Sequence, residues 1–187
     1  MSVPYWVFRI RNFLACPPLL FAFVCQAYEV EAHEIIWPLG VGVVVLGVAL
    51  RIWAQQHVRH RLPGYKQLTT TGPYEFVRNP LYIGNTILCV GGVIASELLW
   101  MVPITLLWCF GVYSIVIRYE ENHLLEKYGD GYRRYLSEVP RWFPKISRVR
   151  IGHAGLVKQY LYRTILVEVS SGLLMLIPFI LKEILYG

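Results

Sequence analysis

Residues 81–117 read LYIGNTILCVGGVIASELLWMVPITLLWCFGVYSIVI, an apolar stretch in which Glu97 is the single charged residue. A helix needs about 20 mainly apolar residues to cross a bilayer, so this stretch is far too long for one membrane span. The polar pair Ser96-Glu97 predicts a turn inside it. We therefore expect two membrane helices on either side of that turn.

Three further apolar runs lie outside this stretch. They cover residues 13–28, which residues 5–8 can extend, residues 35–54, and residues 165–185, where Pro178 is a tolerated kink. The whole chain is 56% hydrophobic with a mean hydropathy of +0.45, above the 45–50% or so of soluble domains. These patterns predict an all-α fold: one integral membrane domain over residues 1–187 with about five transmembrane helices.

The charges alternate along the chain. Arg9 and Arg11 precede the first run, the 55–80 and 118–163 segments are basic, and the 29–34 loop carries only acidic charges. By the positive-inside rule, the amino terminus and both basic segments are cytoplasmic, and five spans place the carboxyl terminus outside. The net charge is +6. We expect the basic side chains to contact membrane lipids rather than nucleic acid, because the arginines border apolar segments.

The sequence lacks the motifs that several classes of site require. The four cysteines lie in apolar runs without CxxC spacing, which argues against a disulfide framework or a zinc site. His57, His60 and His123 have no carboxylate at metal-ligand spacing, so no metal site is predicted. The sequence contains no GxGxxG or GxxxxGK loop, which excludes a soluble-type Rossmann cofactor site.

The first polar segment is residues 68–85, LTTTGPYEFVRNPLYIGN. Pro80 suits the first turn of a helix, and the N–H groups there favour an anionic group such as a carboxylate. Arg78 places a cationic fork beside this helix start. The alternative interpretation is a snorkelling arginine at the membrane surface.

The second polar segment is residues 118–123, RYEENH, directly after the fourth predicted span. Adjacent carboxylates at the hydrocarbon boundary are costly unless they pair or take part in function. The alternative interpretation is a solvated helix end, with Glu120 or Glu121 paired to an arginine. Because both polar segments fall on the same predicted face of the membrane, a shared functional site is favoured.

The order and spacing of the two segments resemble the isoprenylcysteine carboxyl methyltransferase family and the related phospholipid methyltransferases. The first segment follows the pattern L-x-T-x-G-x-Y-x-x-x-R-[HN]-P-x-Y-x-G over residues 68–84. The resemblance covers residues 40–145, which we take as a methyltransferase core, followed by a cytoplasmic connector and the last membrane helix over 146–187. The second block of the pattern is Glu120-Glu121-Asn122-His123-Leu124, Tyr128-Gly129, Tyr132, Tyr135 and Val139-Pro140-Arg141.

The resemblance implies a membrane-embedded methyltransferase with S-adenosylmethionine in a cytoplasmic pocket formed by both segments. The catalytic candidates are Arg78, Arg118, Glu120 and Glu121. One of the two glutamates is also expected to contact the cofactor, and Glu121 is our assignment. The other cofactor positions implied are Lys66, Gln67, Leu68, Thr69, Tyr74, Asn79, Pro80, Leu81 and Tyr82.

The chemistry of the acceptor divides the roles of these residues. A carboxylate acceptor is already charged and needs an orienting cation, which Arg78 or Arg118 can supply. An amine acceptor arrives protonated and needs a base, which Glu120 or Glu121 can supply. The residues alone leave both assignments open.

We expect a lipophilic acceptor that enters from the bilayer between residues 81–88 and 100–108. Carboxyl O-methylation of an isoprenylcysteine-like substrate is the first expectation, and N-methylation of phosphatidylethanolamine is the alternative. Two other classes remain open: an NADPH-dependent membrane enzyme similar to sterol reductases, and a non-enzymatic scaffold. The oligomeric state is not predicted.

Overall fold

The structure, a computed structural model, describes residues 11–25, 32–58, 68–144 and 158–186. Within these ranges the chain forms helices joined by turns and contains no strand, which confirms the all-α prediction. A 3-10 turn at Gly72–Glu75 precedes α4. In chain order, the helices are α1 (Arg11–Leu14), α2 (Pro17–Val24), α3 (His33–His57), α4 (Pro80–Ala95), α5 (Met101–Tyr128), α6 (Asp130–Glu138) and α7 (Lys158–Tyr186).

Within the described ranges, three helices are long and apolar enough to cross a membrane: α3, α5, and the Tyr162–Leu181 part of α7. Helix α4 is also apolar but has 16 residues, about 24 Å at 1.5 Å per residue. A typical hydrocarbon core is about 30 Å thick. The chain is thus a helical membrane protein, and the count of about five spans stays a prediction.

The turn predicted inside residues 81–117 is confirmed. Helix α4 ends at Ala95 and α5 begins at Met101. Glu97 in the connecting turn has a positive φ of 64°, and its carboxylate lies 2.8 Å from Nδ1 of His33 at the start of α3. The predicted spans at 35–54 and 165–185 are likewise found inside α3 and α7, and Pro178 lies within α7 as expected.

The first predicted span differs from the structure. Residues 13–24 do not form one helix, because α1 ends at Leu14 and α2 begins only at Pro17. A proline has no N–H to bond to the preceding turn, and the consecutive Pro17 and Pro18 occupy the first positions of α2, where that N–H is not needed. The extension by residues 5–8 and the end of the run at 26–28 lie outside the described residues.

Close packing explains the central position of α4. A Cβ built at Gly91 would lie 2.7 Å from the backbone N of Val44 on α3. On the neighbouring side, a Cβ at Gly92 would meet Leu19 of α2 at 2.7 Å and Phe179 of α7 at 3.2 Å. The glycine pair therefore lets three helices approach α4 closely. Nearer its amino-terminal end α4 also contacts α3, where a Cβ at Gly84 would lie 2.7 Å from Cγ of Arg51.

Candidate active site

One carboxylate joins the two polar segments. Glu121 on α5 is 8% exposed, and its Oε1 lies 3.1 Å from Nη1 of Arg78, just before α4. Arg141 binds the same carboxylate, with Nε 3.2 Å from Oε1 and Nη2 against Oε2. Hydrogen bonds between a guanidinium and a carboxylate are stronger than those between neutral groups. Glu121 and its two arginines, here called the arginine clamp, tie together three distant parts of the chain.

Backbone contacts reinforce the arginine clamp. The N–H of Arg78 donates to the carbonyl oxygen of Pro140 at 2.9 Å. The side-chain amide of Asn79 donates to the carbonyl oxygen of Arg141 at 3.5 Å. These bonds place the Val-Pro-Arg sequence beside the start of α4. The amino-terminal end of α4 is therefore held by main-chain contacts as well as by charge.

Glu120 has a different environment from its neighbour. Tyr82 on α4 donates its hydroxyl to Oε2 of Glu120 at 2.9 Å. The ring of Tyr82 packs on Tyr113 with centroids 4.9 Å apart, and both rings are buried. Consecutive helical residues point about 100° apart, which lets the two glutamates meet different partners. Glu120 is thus positioned by a tyrosine, whereas Glu121 is bound by two arginines.

A cavity of about 400 Å³ opens beside these groups. This volume is in the range of small-molecule sites. The arginine clamp contributes Arg78, whose Nε is buried without a hydrogen-bond partner among the described residues. Most of the sequence-predicted site residues line the cavity: Leu68, Thr69, Tyr74, Arg78, Asn79, Pro80, Leu81, Tyr82, Glu120 and Glu121.

Of the other three sequence-predicted site residues, one lies away from the cavity and two lie outside the described residues. Arg118 is exposed on α5 and does not line it. Lys66 and Gln67 lie outside the described residues. Of the two arginines considered for orienting an acceptor, the structure brings Arg78 to the cavity.

The cavity also contains residues that the site prediction lacked. Three tyrosines of the second motif block, Tyr128, Tyr132 and Tyr135, line it. Their place in the motif was a signal for them. Arg51 and Glu168 line it as well, and each is a charged residue in an apolar helix, which by itself suggests function.

The tyrosines of α6 form a neutral wall of the cavity. Burial raises the pKa of Tyr132, and the nearby carboxylate of Glu121 raises it further. Burial also raises the pKa of Tyr135, whose hydroxyl donates to the carbonyl oxygen of Tyr74 at 2.8 Å. Both phenols are therefore protonated at neutral pH. Tyr135 couples α6 to the 3-10 turn of the first polar segment.

His57 packs against the 3-10 turn at Gly72–Glu75. Its Nδ1 lies 3.2 Å from the hydroxyl of Thr71. Gly72 has a φ of 65°, and a Cβ there would lie 2.5 Å from Nε2 of His57, so glycine is required on both counts. His123 is exposed, and His60 lies outside the described residues. Among the residues that are described, no group of three or more His, Cys, Asp or Glu side chains could hold a metal ion.

The structure is that of a helical membrane protein with a polar cavity where the ends of its helices meet. A model of the family described as phospholipid methyltransferase matches residues 35–131. The match covers more than half of the chain, and the chain belongs to this family. The match begins within α3 and includes α4, α5 and both polar segments.

Curated relatives extend this finding. The chain is 30% identical over 151 residues to a protein-S-isoprenylcysteine O-methyltransferase of Schizosaccharomyces pombe. This match covers 74% of this chain and 58% of that protein. It is 33% identical over 112 residues to the nickel-cobalt-cadmium resistance protein NccN of Alcaligenes xylosoxydans xylosoxydans, with coverages of 60% and 50%. The cobalt-zinc-cadmium resistance protein CzcN of Cupriavidus metallidurans is 30% identical over 117 residues, with coverages of 60% and 53%.

The chain thus spans between half and three fifths of the length of these relatives. No solved structure matches it significantly.

Proposed function

We propose that the chain catalyses S-adenosylmethionine-dependent methyl transfer to a lipophilic acceptor, by carboxyl O-methylation of an isoprenylcysteine-like substrate. The observation that carries this proposal is the cavity of about 400 Å³ lined by both motif segments beside the arginine clamp. Membership of a methyltransferase family and the similarity to an isoprenylcysteine O-methyltransferase support it.

The residues around the cavity fit S-adenosylmethionine. Arg78, whose buried Nε has no hydrogen-bond partner in the described part of the chain, can bind the carboxylate of the cofactor. The carboxylate of Glu120 can bind its ammonium group, and the rings of Tyr74 and Tyr128 offer faces to adenine or to the sulfonium. When bound, the cofactor supplies a methyl carbon that is electrophilic because it is attached to a positively charged sulfur.

The two glutamates take separate roles in this proposal. Glu121 is engaged by two arginines and acts as a positioning residue that fixes the start of α4. Glu120, oriented by Tyr82, contacts the ligand directly. Glu120 therefore replaces Glu121 as the proposed cofactor contact.

The reaction makes modest demands on the protein. A carboxylate oxygen forms a bond to the methyl carbon while the carbon–sulfur bond breaks, with its electron pair going to sulfur, and no proton moves. The chain has to align the carboxylate and exclude water. Leu68, Leu81 and Leu124 line the cavity and serve the second purpose.

An amine acceptor is the second candidate, favoured by the description of the matching family as phospholipid methyltransferase. In that case Glu120 would accept the proton of the ammonium group before methyl transfer, with Tyr82 as its hydrogen-bond partner. The same cavity would then hold the head group of a phospholipid.

Transfer of labelled methyl from S-adenosylmethionine to a panel of acceptors tests the proposal. The panel contains an S-farnesyl cysteine carboxylate, phosphatidylethanolamine and a water-soluble acid. Base treatment releases labelled methanol from an ester and leaves an N-methyl product intact. Labelling of the farnesyl cysteine with release under base is expected. Stable label in phosphatidylethanolamine establishes the second candidate instead, and no labelling of any acceptor contradicts methyl transfer.

Ligand binding separates this proposal from the other two classes. Calorimetry of the purified protein is expected to show binding of S-adenosylhomocysteine and none of NADPH. A reductase-like enzyme would show the reverse. A scaffold would bind neither ligand.

We further propose that the cavity faces the cytoplasm, with the amino terminus on the same side and the carboxyl terminus outside. The basic residues near the cavity and the acidic 29–34 loop support this orientation. Reporter fusions after residue 187 and within residues 145–157 test it. An externally active reporter at residue 187 and a cytoplasmic one at 145–157 are expected, and the reverse pattern contradicts the orientation.

A further inference from the structure

One wall of the cavity lies outside the region that the family shares. Helix α7 follows residues 35–131 and contributes Val167 and Glu168 to the cavity. Glu168 is 3% exposed, although its helix is apolar enough to span a membrane. A carboxylate at such a position is costly unless it is paired, and it commonly belongs to a substrate path. Glu168 therefore needs an explanation that the family motifs do not give.

The partner of Glu168 is Arg51 on α3. Nε of Arg51 donates to Oε2 of Glu168 at 2.6 Å, and Nη1 of Arg51 donates to the side-chain oxygen of Asn85 on α4. The side chain of Arg51 is 20% exposed, against 3% for Glu168. Arg51, Glu168 and Asn85 are here called the Arg51 cluster. Arg51 and Glu168 both line the cavity, so the Arg51 cluster brings a cation to it together with its counter-ion.

Val167 shows where the cavity meets the outer surface. It lines the cavity and is also 59% exposed on the membrane-spanning part of α7. Further along α7 the contact with α3 is closed, because a Cβ at Gly172 would lie 2.7 Å from Cγ2 of Val48, and Leu176 packs on Val44. Val167 thus lies both at the cavity and on the part of α7 that is apolar enough to cross a membrane.

The route expected from the sequence, between residues 81–88 and 100–108, stays a prediction, and side chains pack closely beside it. Tyr82 and Cys89 on α4 pack in one buried cluster with Cys109 and Tyr113 on α5. The carbonyl of Leu14 also accepts a hydrogen bond from the indole of Trp108 at 2.8 Å. The seam between α4 and α5 is thus occupied by side chains, which favours a different entrance.

We infer that a lipophilic acid enters the cavity from the bilayer between α3 and α7, past Val167, and that Arg51 receives its carboxylate. The apolar tail remains along Val167 in the membrane while Glu168 and Asn85 hold the guanidinium in place. A bidentate guanidinium–carboxylate contact binds this head group, and the same guanidinium repels an ammonium head group. The methyl-transfer part of this inference rests on the proposed function; the entrance and the head-group contact do not.

A matched pair of substitutions tests the entrance. Val167→Trp obstructs it, whereas Val169→Trp places the same side chain on the same helix at a residue that is 39% exposed and does not line the cavity. In mixed micelles, Val167→Trp is expected to raise the KM for S-farnesyl cysteine at least tenfold. Its affinity for S-adenosylhomocysteine should stay within twofold of the unsubstituted protein. In Val169→Trp, both the KM for S-farnesyl cysteine and the affinity for S-adenosylhomocysteine should stay within twofold. Equal KM values for the two variants overturn the entrance.

The head-group contact is tested by selectivity between two inhibitors. A non-transferable S-farnesyl thioether acid and its neutral carboxamide differ only in charge. The unsubstituted protein is expected to prefer the acid at least tenfold, and Arg51→Gln to remove this preference while S-adenosylhomocysteine still binds. Arg51→Lys should retain part of the preference, since it keeps the charge but loses the fork. A preference that survives in Arg51→Gln overturns the assignment to Arg51.

Photolabelling reads the entrance without turnover. A long-chain acid with a diazirine in its tail is expected to label α7 peptides around Val167, and excess unlabelled acid to compete. Labelling of the α4–α5 seam instead overturns the route. If no acceptor is methylated but competable labelling of α7 persists, the proposed function fails and the entrance is supported.

Discussion

Glu120 and Glu121 are adjacent in the chain, yet Glu120 accepts a hydrogen bond from Tyr82 at 2.9 Å and Glu121 lies 3.1 Å from Arg78. The helical rotation between them turns one carboxylate toward a phenol and the other toward two guanidinium groups. This difference predicts that the same substitution at the two positions changes different properties.

Glu121→Gln should destabilise the fold, because it removes the charge that two arginines share. A loss of about 2 kcal/mol is the expected size for a buried hydrogen-bonded charge, measured as a lower midpoint of thermal unfolding in detergent. Glu120→Gln should leave that midpoint within a few degrees and weaken S-adenosylmethionine binding at least tenfold. Equal effects of the two variants on stability and binding would mean that the glutamates share one role.

Arg78 and Arg118 should differ sharply in activity. Arg78→Ala removes the guanidinium proposed to bind the carboxylate of the cofactor and is expected to lower kcat/KM by at least 100-fold, on the order of the loss when one partner of a buried charge pair is removed. Arg118→Ala removes an exposed arginine away from the cavity and should stay within twofold of the unsubstituted protein. Circular dichroism of both variants checks that the helices remain. Full activity of Arg78→Ala would contradict the assignment of Arg78 to the site.

Alanine at two glycines should have opposite effects on stability. Gly91→Ala places a Cβ 2.7 Å from a backbone nitrogen of α3 and is expected to cost roughly 1–3 kcal/mol. Gly111→Ala on α5 meets nothing within 4 Å and should be neutral or slightly stabilising, since alanine favours a helix over glycine. Denaturant unfolding in detergent measures both. A destabilised Gly111→Ala with an unchanged Gly91→Ala would contradict the close contact of α3 and α4.

The tyrosines of α6 predict a loss of stability in strong alkali. Their folded-state pKa values are raised above the usual value of about 10, chiefly by burial. Above pH 10 the unfolded chain ionises these phenols while the folded chain keeps them neutral. The free energy of unfolding therefore falls as pH rises through this window, by up to about 1.4 kcal/mol per pH unit for each group.

Tyr135→Phe removes one of these groups together with its bond to the carbonyl of Tyr74. It should cost about 1 kcal/mol at pH 7 and make the fall between pH 10 and 11 shallower than in the unsubstituted protein. Thermal unfolding at pH 7, 10 and 11 provides the comparison. An unchanged slope would show that Tyr135 ionises at its ordinary pKa in the fold.

The local features of the fold could be predicted from the sequence, because they depend on short patterns. The apolar run of residues 81–117, its Ser96-Glu97 turn and the helix start at Pro80 all follow from residue types at neighbouring positions. The first span was mispredicted because hydropathy alone does not register that Pro17 and Pro18 interrupt a helix. Here backbone chemistry outweighs composition.

The candidate site was predictable to the extent that it is encoded in the two motif segments. Arg78, Tyr82 and Glu120 line the cavity, and their roles stay a prediction. Arg51 and Glu168 were missed because their relationship exists only in three dimensions: neither lies in a motif, and 117 positions separate them. The partition of roles between Glu120 and Glu121 also required the rotation of α5 and the position of Arg141.

That separation has a consequence for how the protein is made. At about 5–20 residues per second, a ribosome needs roughly 6–23 s to proceed from Arg51 to Glu168. Asn85 follows Arg51 after only 34 positions and so reaches the guanidinium first. During synthesis, Arg51 in the apolar helix α3 can therefore bind the amide of Asn85 first. Its counter-ion Glu168 becomes available only when α7 has been synthesised.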